Sequence, residues 1–129
     1  MKLLLDTYIF LWFINGSNQL STRFRDHIQD PNNTVYLSVV SLWNCIIKYQ
    51  LGKFLLPKSP ELYLPKQREQ HQIDSLTVDE ASVAQLIMLP SLHRDPFDRL
   101  LICQALQHNL TIVTADAAVM AYQMAEFLQ

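Results

Sequence analysis

The stretch that decides the fold is TVYLSVVSLWNCIIKYQ, residues 34–50. Its first five residues are rich in β-branched and aromatic side chains, which favour a strand. The residues that follow are almost all apolar and have the length of a helix. The same succession occurs in KLLLDTYIFLWFIN, residues 2–15, and in LTIVTADAAVMAYQM, residues 110–124. This alternation predicts an α/β fold in which helices cover both faces of a central, mainly parallel sheet.

Weaker patterns between these units predict the remaining elements. Ser21 can cap a helix over residues 21–29, and further helices are expected at residues 78–89 and 96–108. A helix that begins after Ser59-Pro60 is expected to be interrupted near Pro65, because proline lacks the backbone N–H that a helix interior needs. Short strands are expected at residues 72–76 and, as an edge strand, at residues 125–129.

Composition bounds the possible functions. The chain has 129 residues, half of them hydrophobic, so we expect one domain over residues 1–129 with a substantial core. Its formal net charge of −2 argues against a broad nucleic-acid footprint but allows a local one. Cys45 and Cys103 lie in apolar helical patterns without metal-type spacing, which favours buried free thiols and a cytoplasmic protein. Asp6 interrupts the apolar N-terminal run, so that run is predicted to be core, and no segment is long enough to span a membrane.

Three acids fall where a parallel sheet binds its ligands, at the carboxyl ends of the strands. Asp6 ends the first strand, Asp116 follows the strand near residues 110–114, and Asp98 lies in the first turn of the helix at 96–108. Each could simply cap a helix, and Asp95 is a good N-cap for the last of these. Gathered together, however, carboxylates repel one another unless a cation such as Mg²⁺ or Mn²⁺ binds them.

Four blocks, taken in order and spacing, resemble the PIN domain, most closely the VapC-type toxins of bacterial toxin–antitoxin pairs. They are LLDTYIFLW, SLWNCIIKYQLGK, LHRDPFDRLLICQAL and TIVTAD. The resemblance implies a PIN-like α/β/α sandwich and Mg²⁺- or Mn²⁺-dependent cleavage of RNA. It also implies a VapB-like antitoxin as partner and a homodimer, with the apolar helix at residues 8–14 as the expected contact surface. Asp6, Asp98 and Asp116 match three of the family's four acidic positions and are therefore the expected metal ligands.

Asn44 stands where the family normally has the fourth acid, a glutamate. If its side chain faces the site, three aspartates could still hold one Mg²⁺, but activation of the attacking water becomes harder. Two other interpretations remain open: an exposed helix residue, or a buried network with Ser41 and Lys48, which share its helical face. The resemblance thus leaves two functions, an endoribonuclease toxin impaired by Asn44 or a catalytically degenerate binding and regulatory protein.

Further residues near these blocks are candidates for supporting roles. Lys48 is expected to pair with Asp98, to contact RNA phosphate or to be a plain surface lysine. Arg94 and Arg99 are expected either to contact phosphate or to pair with the neighbouring acids. Candidates for orienting the carboxylates are Thr7, Thr114 and Asp95, the last also as a replacement for the missing ligand.

Several aromatic and histidine side chains allow only general expectations. Tyr8 stands where similar proteins often have His, and we interpret it as a substrate-side or packing variation. Because no His or Cys partner lies at a suitable spacing, His93 and His71 are not expected to bind metal. Trp12 and Trp43 are expected in the core or at an interface.

Overall fold

The computed structural model describes all of residues 1–129 and contains a five-stranded sheet in which every neighbouring pair is parallel. The strands lie in the order β3-β2-β1-β4-β5. Their bounds are Lys2–Leu5 (β1), Thr34–Ser38 (β2), Asp74–Leu76 (β3), Glu126–Phe127 (β5) and, for β4, Thr111–Val113. The predicted strands are all present, and β5 forms one edge of the sheet as expected.

Seven α-helices connect and cover the strands. They are Thr7–Asn15 (α1), Thr22–Gln29 (α2), Val39–Gln50 (α3), Pro60–Gln70 (α4), Glu80–Ala84 (α5), Pro96–His108 (α6) and Ala117–Met120 (α7). The predicted cap of α2 is confirmed, because the Ser21 hydroxyl accepts a hydrogen bond from the Phe24 N–H at 3.1 Å. α1 ends at Gly16, whose φ of 63° lies in the left-handed region that glycine adopts without strain.

Alternate side chains of β1 point to opposite faces of the sheet, and each face carries its own apolar core. Leu3 and Leu5 belong to one buried cluster with residues of α1 and α2, whereas Leu4 belongs to a second cluster built mainly from α6. β1 is buried on both sides because it is the central strand, which explains its continuous apolar run. The predicted α/β/α sandwich with a parallel central sheet is confirmed.

Three of the predicted helices differ from the structure. α4 runs without a break through Pro65, so the expected interruption is wrong. The carbonyl that loses its partner belongs to Glu61, which is exposed and can bond water instead. The helix expected at residues 78–89 is shorter: α5 passes into a 3₁₀ turn, Gln85–Ile87, where Ile87 and Met88 are almost fully exposed and give a longer helix no apolar face to bury.

The predicted final helix also starts later and ends earlier than residues 115–124. The Asp116 side chain accepts a hydrogen bond from the Ala118 N–H at 2.9 Å and so begins α7 after it. Beyond Met120 the chain turns, and Tyr122 enters the core with none of its surface exposed. None of the helices is long and apolar enough to cross a membrane.

Candidate metal centre

One threonine, Thr114, links the carboxyl ends of the central strands β1 and β4 through two hydrogen bonds. Asp6 follows β1 and is only 7% exposed. The Thr114 hydroxyl, just after β4, donates a hydrogen bond of 2.7 Å to an Asp6 carboxylate oxygen and accepts one of 3.0 Å from the Asp116 N–H. Burial raises the pKa of the Asp6 carboxyl above its ordinary value, and the hydrogen bond from Thr114 opposes that rise. Thr114 therefore orients the Asp6 carboxylate, as expected, and also the backbone of Asp116.

The third acid comes from the first turn of α6. Asp95 is the N-cap, as predicted, and one of its carboxylate oxygens accepts hydrogen bonds from the N–H groups of Phe97 at 2.8 Å and Asp98 at 3.3 Å. Asp98 is thereby held facing the strand ends. Burial raises the pKa of the Asp98 carboxyl to about 6; a hydrogen bond from His93 opposes the rise, while the negative charges of Asp95 and Asp6 add to it.

His93 lies among these acids, which the sequence interpretation did not expect. Its Nε2 atom is 2.9 Å from a carboxylate oxygen of Asp98, and one ligand atom each from His93, Asp98 and Asp116 lie within 4.8 Å of one another. The expectation rested on the lack of a partner His or Cys, but the partners are aspartates: Asp98 in the following helix and Asp116 from beyond β4. The geometry therefore makes His93 a candidate ligand beside the two acids.

A buried tyrosine fixes the loop that carries His93. The Tyr122 hydroxyl accepts hydrogen bonds from the His93 N–H at 2.9 Å and from the Arg99 guanidinium at 3.0 Å. Arg99 also donates to the Pro90 carbonyl at 2.9 Å, so the expected salt bridge with Asp95 or Asp98 is wrong. The sequence gives one signal for this role of Tyr122: a tyrosine that is buried needs a hydrogen-bond partner for its hydroxyl.

Asn44 is buried, with 6% of its surface exposed, so the interpretation as an exposed helix residue is wrong. The network with Ser41 and Lys48 is wrong too, because both of those side chains bond to α1. The Ser41 hydroxyl accepts from the Thr7 hydroxyl at 2.9 Å, and Lys48 Nζ donates to the Tyr8 hydroxyl at 2.9 Å. Asn44 lies between these contacts along α3 and makes no side-chain hydrogen bond of its own. Its helical face is thus the one turned toward the start of α1, directly after Asp6.

The remaining candidates separate into anchored and free side chains. Thr7 bonds to Ser41 and not to a carboxylate, so its hydroxyl joins α1 to α3. Lys48 does not pair with Asp98, although its positive charge lowers the pKa of the Asp6 carboxyl. Arg94 is exposed and makes no ion pair, so the expected pairing with neighbouring acids is wrong for it as well.

The aromatic and sulfur side chains agree only in part with expectation. Trp12 packs partly against the core, but Trp43 is 57% exposed, with its ring edge-on to Phe97 at 4.8 Å between centroids. Trp43 is therefore a surface residue and not part of the core. His71 packs edge-on against the Phe13 ring at 5.1 Å between centroids. Cys45 and Cys103 are buried free thiols, as predicted.

The donor set suits a hard divalent cation. Asp6, Asp98 and Asp116 supply carboxylate oxygens, the ligands that Mg²⁺ and Mn²⁺ prefer, and no Lys or Arg forms an ion pair with any of them. The raised pKa values of the Asp6 and Asp98 carboxyls show that these buried charges lack enough compensation from the protein itself. A cation at this edge would provide it.

Fold and site together define a parallel α/β protein with a carboxylate-rich candidate metal centre at the carboxyl edge of its sheet. Residues 3–124 match the profile of the PIN domain, and the chain belongs to that family. It is 35% identical over 57 residues to Ribonuclease VapC16 of Mycobacterium tuberculosis. That alignment covers 44% of this chain and 40% of the relative, so it spans less than half of either protein.

Solved structures agree on the fold over the whole chain. VapBC2 from Rickettsia felis, bound to a DNA fragment from its promoter, has a TM-score of 0.74 at 17% identity and covers 99% of this chain and 98% of that one. VapBC-1 from nontypeable Haemophilus influenzae has a TM-score of 0.72 at 15% identity, with coverage of 100% and 98%. The resemblance to PIN-domain proteins that the sequence predicted is confirmed.

Proposed function

We propose that this protein is a divalent-metal-dependent endoribonuclease, the toxin component of a type II toxin–antitoxin pair, that works in the cytoplasm with residues 1–129 as one PIN-like unit. The observation that carries the proposal is the convergence of acids at the sheet edge. Asp98 and Asp116 come within 4.8 Å of each other, and Thr114 connects Asp116 to Asp6. The similarity to a ribonuclease of the same family supports RNA as the substrate.

Asp6, Asp98 and Asp116 would hold Mg²⁺ or Mn²⁺. The bound ion would supply charge stabilisation for the phosphodiester and lower the pKa of a water molecule. The protein side chains prepare this centre: Thr114 orients Asp6, Asp95 fixes the start of α6 so that Asp98 faces inward, and His93 holds one oxygen of Asp98. With its carboxylate committed to the N-cap, Asp95 is a positioning residue and does not replace the missing fourth acid.

Asn44 is the residue that limits this activity. Its amide offers one acceptor oxygen and two donors, and it cannot take up a proton at neutral pH. A glutamate at the same position would add both a charge and a base, so we expect slow turnover from the natural protein. The amide at position 44 also favours a second candidate function. In that case the protein is a degenerate PIN module that keeps its partner contacts but does not cleave RNA.

Two cations near the acids are candidates for substrate phosphate. Lys48 uses one of its three N–H donors on Tyr8 and keeps two for another acceptor. Arg94 is exposed in the loop before α6 and is free to bind phosphate. Arg99 is predicted from the sequence to share this role, but its bonds to Pro90 and Tyr122 make it a support for the loop instead.

The proposed partners follow from the similar structures, two of which are VapBC assemblies. We propose a VapB-like antitoxin and a homodimer. The expected contact surface at residues 8–14 is narrower than the sequence indicates, because Ile9, Phe10 and Leu11 are buried in the chain's own core. Tyr8 and the partly exposed residues that follow remain available on α1, and Trp43 adds exposed aromatic surface on α3.

The test is cleavage of RNA by the purified protein with Mg²⁺, with Mn²⁺ and with a chelator. We expect slow, metal-dependent cleavage that Asp6→Asn abolishes, while the matched control Asp26→Asn, an exposed acid on α2, leaves the rate unchanged. Metal binding is followed in parallel by calorimetry. If the parent protein binds metal and a VapB-like partner but cleaves no RNA, the degenerate module is the correct function.

A further inference from the structure

A recess opens beside the candidate metal centre, and none of the roles described above uses it. Its volume is about 140 Å³, several times the roughly 30 Å³ that one water molecule occupies in the liquid. Two acids of the centre form one side, and the rest of its lining is apolar or aromatic. The lining residues are Asp6, Tyr8, Ile9, Trp12, Ala115 and Asp116.

The two aromatic rings of this recess do not cover each other. The ring centroids of Tyr8 and Trp12 lie 6.4 Å apart, and the ring planes are tilted by 42°. A wedge of this kind leaves ring faces open to a third flat group. Tyr8 is 44% exposed yet fixed in position, because Lys48 donates to its hydroxyl and lies 4.6 Å from its ring centre. The recess is thus formed in advance of ligand binding.

Lys48 also places a positive charge at the rim of the recess. Two of its N–H donors remain free, so a phosphate next to a flat group in the recess would find a partner there. Aromatic faces, a neighbouring cation and an adjacent carboxylate centre are the combination that binds one nucleotide of a single strand: the base stacks and the backbone phosphate meets the charge.

We propose that the recess between Tyr8 and Trp12 binds one unpaired nucleobase of the RNA, with Lys48 on the neighbouring phosphate. This inference rests on the proposed function, since it names how the same site holds its substrate. A base inside a duplex is stacked on its neighbours and cannot enter, so the recess selects single-stranded segments. Every base can stack on an aromatic ring, so the recess distinguishes single-stranded from double-stranded RNA but discriminates little between base sequences.

The two tryptophans of the chain provide the experiment, because one lines the recess and the other does not. The variant Trp43→Phe keeps Trp12 as its only tryptophan, and Trp12→Phe keeps Trp43. Both are made with Asp98→Asn to prevent cleavage. Each is titrated with short single-stranded RNA of mixed sequence and with the same RNA as a duplex, both in Mg²⁺. Tryptophan fluorescence reports stacking, and the anisotropy of labelled RNA reports binding independently.

We expect single-stranded RNA to quench Trp12 saturably and to leave Trp43 nearly unchanged, with little quenching of either by the duplex. Tyr8→Ala should weaken binding of the single strand about tenfold or more, while Tyr8→Phe, which keeps the ring but loses the bond to Lys48, should weaken it less. Because Tyr8 is largely exposed, its truncation should not disturb the core.

The other outcomes overturn the inference in distinguishable ways. RNA that binds by anisotropy without quenching Trp12, or that quenches Trp43 instead, overturns the nucleobase recess and leaves the proposed ribonuclease intact. Trp12 fluorescence that changes with protein concentration in the absence of RNA assigns the recess to a second copy of the chain. RNA that binds to no variant and not to the parent protein overturns the proposed function together with this inference.

Discussion

The carboxyl end of β1 and the middle of α3 each carry one polar side chain with little exposed surface, and the two are buried almost equally. Asp6 is 7% exposed and Asn44 is 6% exposed. Asp6 nevertheless accepts a hydrogen bond of 2.7 Å from Thr114, whereas the Asn44 amide makes no hydrogen bond with the rest of the chain. One region supports its polar group, and the other leaves it without a partner.

The Asn44 amide is not among the fully enclosed polar atoms that lack a partner, so it keeps access to solvent although the residue is only 6% exposed. A side chain that works on an ion or a water molecule cannot be fully bonded to protein. We therefore expect the Asn44 amide to meet an ion or a water molecule, although it lacks the charge that a glutamate would bring there. Asn44 also leaves the centre with one negative charge fewer than a glutamate would, which lessens repulsion among the acids.

The largest expected effect comes from restoring a carboxylate on the α3 side. Asn44→Glu should raise the rate of RNA cleavage about a hundredfold or more, because a positioned general base typically contributes that much. The measurement is single-turnover cleavage in Mn²⁺ under conditions where the protein is in excess over RNA.

Asn44→Gln is the matched control, since it has the same length as glutamate but no charge, and it should cleave no faster than the parent. If Asn44→Glu and Asn44→Gln have the same rate while both are folded, the α3 position is not part of the reacting site.

The next effect concerns the Asp98 carboxyl, whose pKa is raised mainly by burial and further by the charges of Asp95 and Asp6. The pKa of its carboxyl is about 6 against an ordinary 3.8, so the folded protein binds a proton between about pH 4 and pH 6 that the unfolded chain has already released. The unfolding free energy of the metal-free protein should therefore fall as the pH rises through that window. Asp98→Asn removes the ionised group and should stabilise the metal-free protein at neutral pH by about 2 kcal/mol.

Denaturant unfolding in a chelator at several pH values measures this difference. Asp26→Asn serves as the comparison, because Asp26 is an exposed acid far from the centre in sequence, and it should not change the pH dependence. A parent and an Asp98→Asn variant with the same unfolding free energy at pH 4 and at neutral pH would contradict the raised pKa.

A smaller effect tests the hydrogen bond from Thr114 to Asp6 at the end of β1. Thr114→Val keeps the shape of the side chain but removes the hydroxyl that bonds to Asp6, so we expect a loss of between about 1 and 2 kcal/mol in unfolding free energy. The pKa of Asp6 should rise further, since the hydrogen bond from Thr114 lowers it. Denaturant unfolding gives the first quantity, and NMR titration of the Asp6 carboxyl gives the second.

Thr111→Val is the control for this change, because Thr111 lies at the start of β4, the strand that Thr114 follows, and its hydroxyl makes no side-chain hydrogen bond. Equal losses from the two substitutions would mean that the cost comes from the strand and not from the bond to Asp6.

Local patterns predicted much of the fold because they depend on neighbours in sequence. The continuous apolar run of β1, the caps at Ser21 and Asp95, and the acids after the strands could all be read from short segments. The interruption predicted at Pro65 is absent because the carbonyl that loses its hydrogen bond there is exposed and can bond water. Solvent exposure of a carbonyl cannot be deduced from sequence spacing.

The missed residues of the site depend on contacts between distant segments. His93 meets Asp116 only because the loop before α6 folds over the end of β4, and Tyr122 holds that loop from 29 residues further along the chain. Asn44 could be identified as a site position from the resemblance, but its lack of a hydrogen bond could not. These facts are set by packing, which no local pattern records.

The smallest expected effect compares two buried amides. Asn44→Leu should change the unfolding free energy by less than about 1 kcal/mol in either direction, because an apolar side chain of the same size replaces a group that has no hydrogen bond to lose. Gln104 on α6 is the matched amide: it is fully buried, accepts from the Ser38 hydroxyl at 2.6 Å and donates to the Thr77 carbonyl at 3.1 Å.

Gln104→Met, of similar length, should therefore cost about 2 kcal/mol or more, since it leaves the buried Ser38 O–H without an acceptor and removes the side-chain donor to the Thr77 carbonyl. Denaturant unfolding of both variants in a chelator gives the comparison. An Asn44→Leu variant destabilised as strongly as Gln104→Met would mean that the Asn44 amide is bonded within the folded protein, and α3 would then be a support like β1 and not a working position. A near-neutral Asn44→Leu, set beside a costly Gln104→Met, would support an amide that is kept free of hydrogen bonds within the folded protein, as contact with an ion or a water molecule requires.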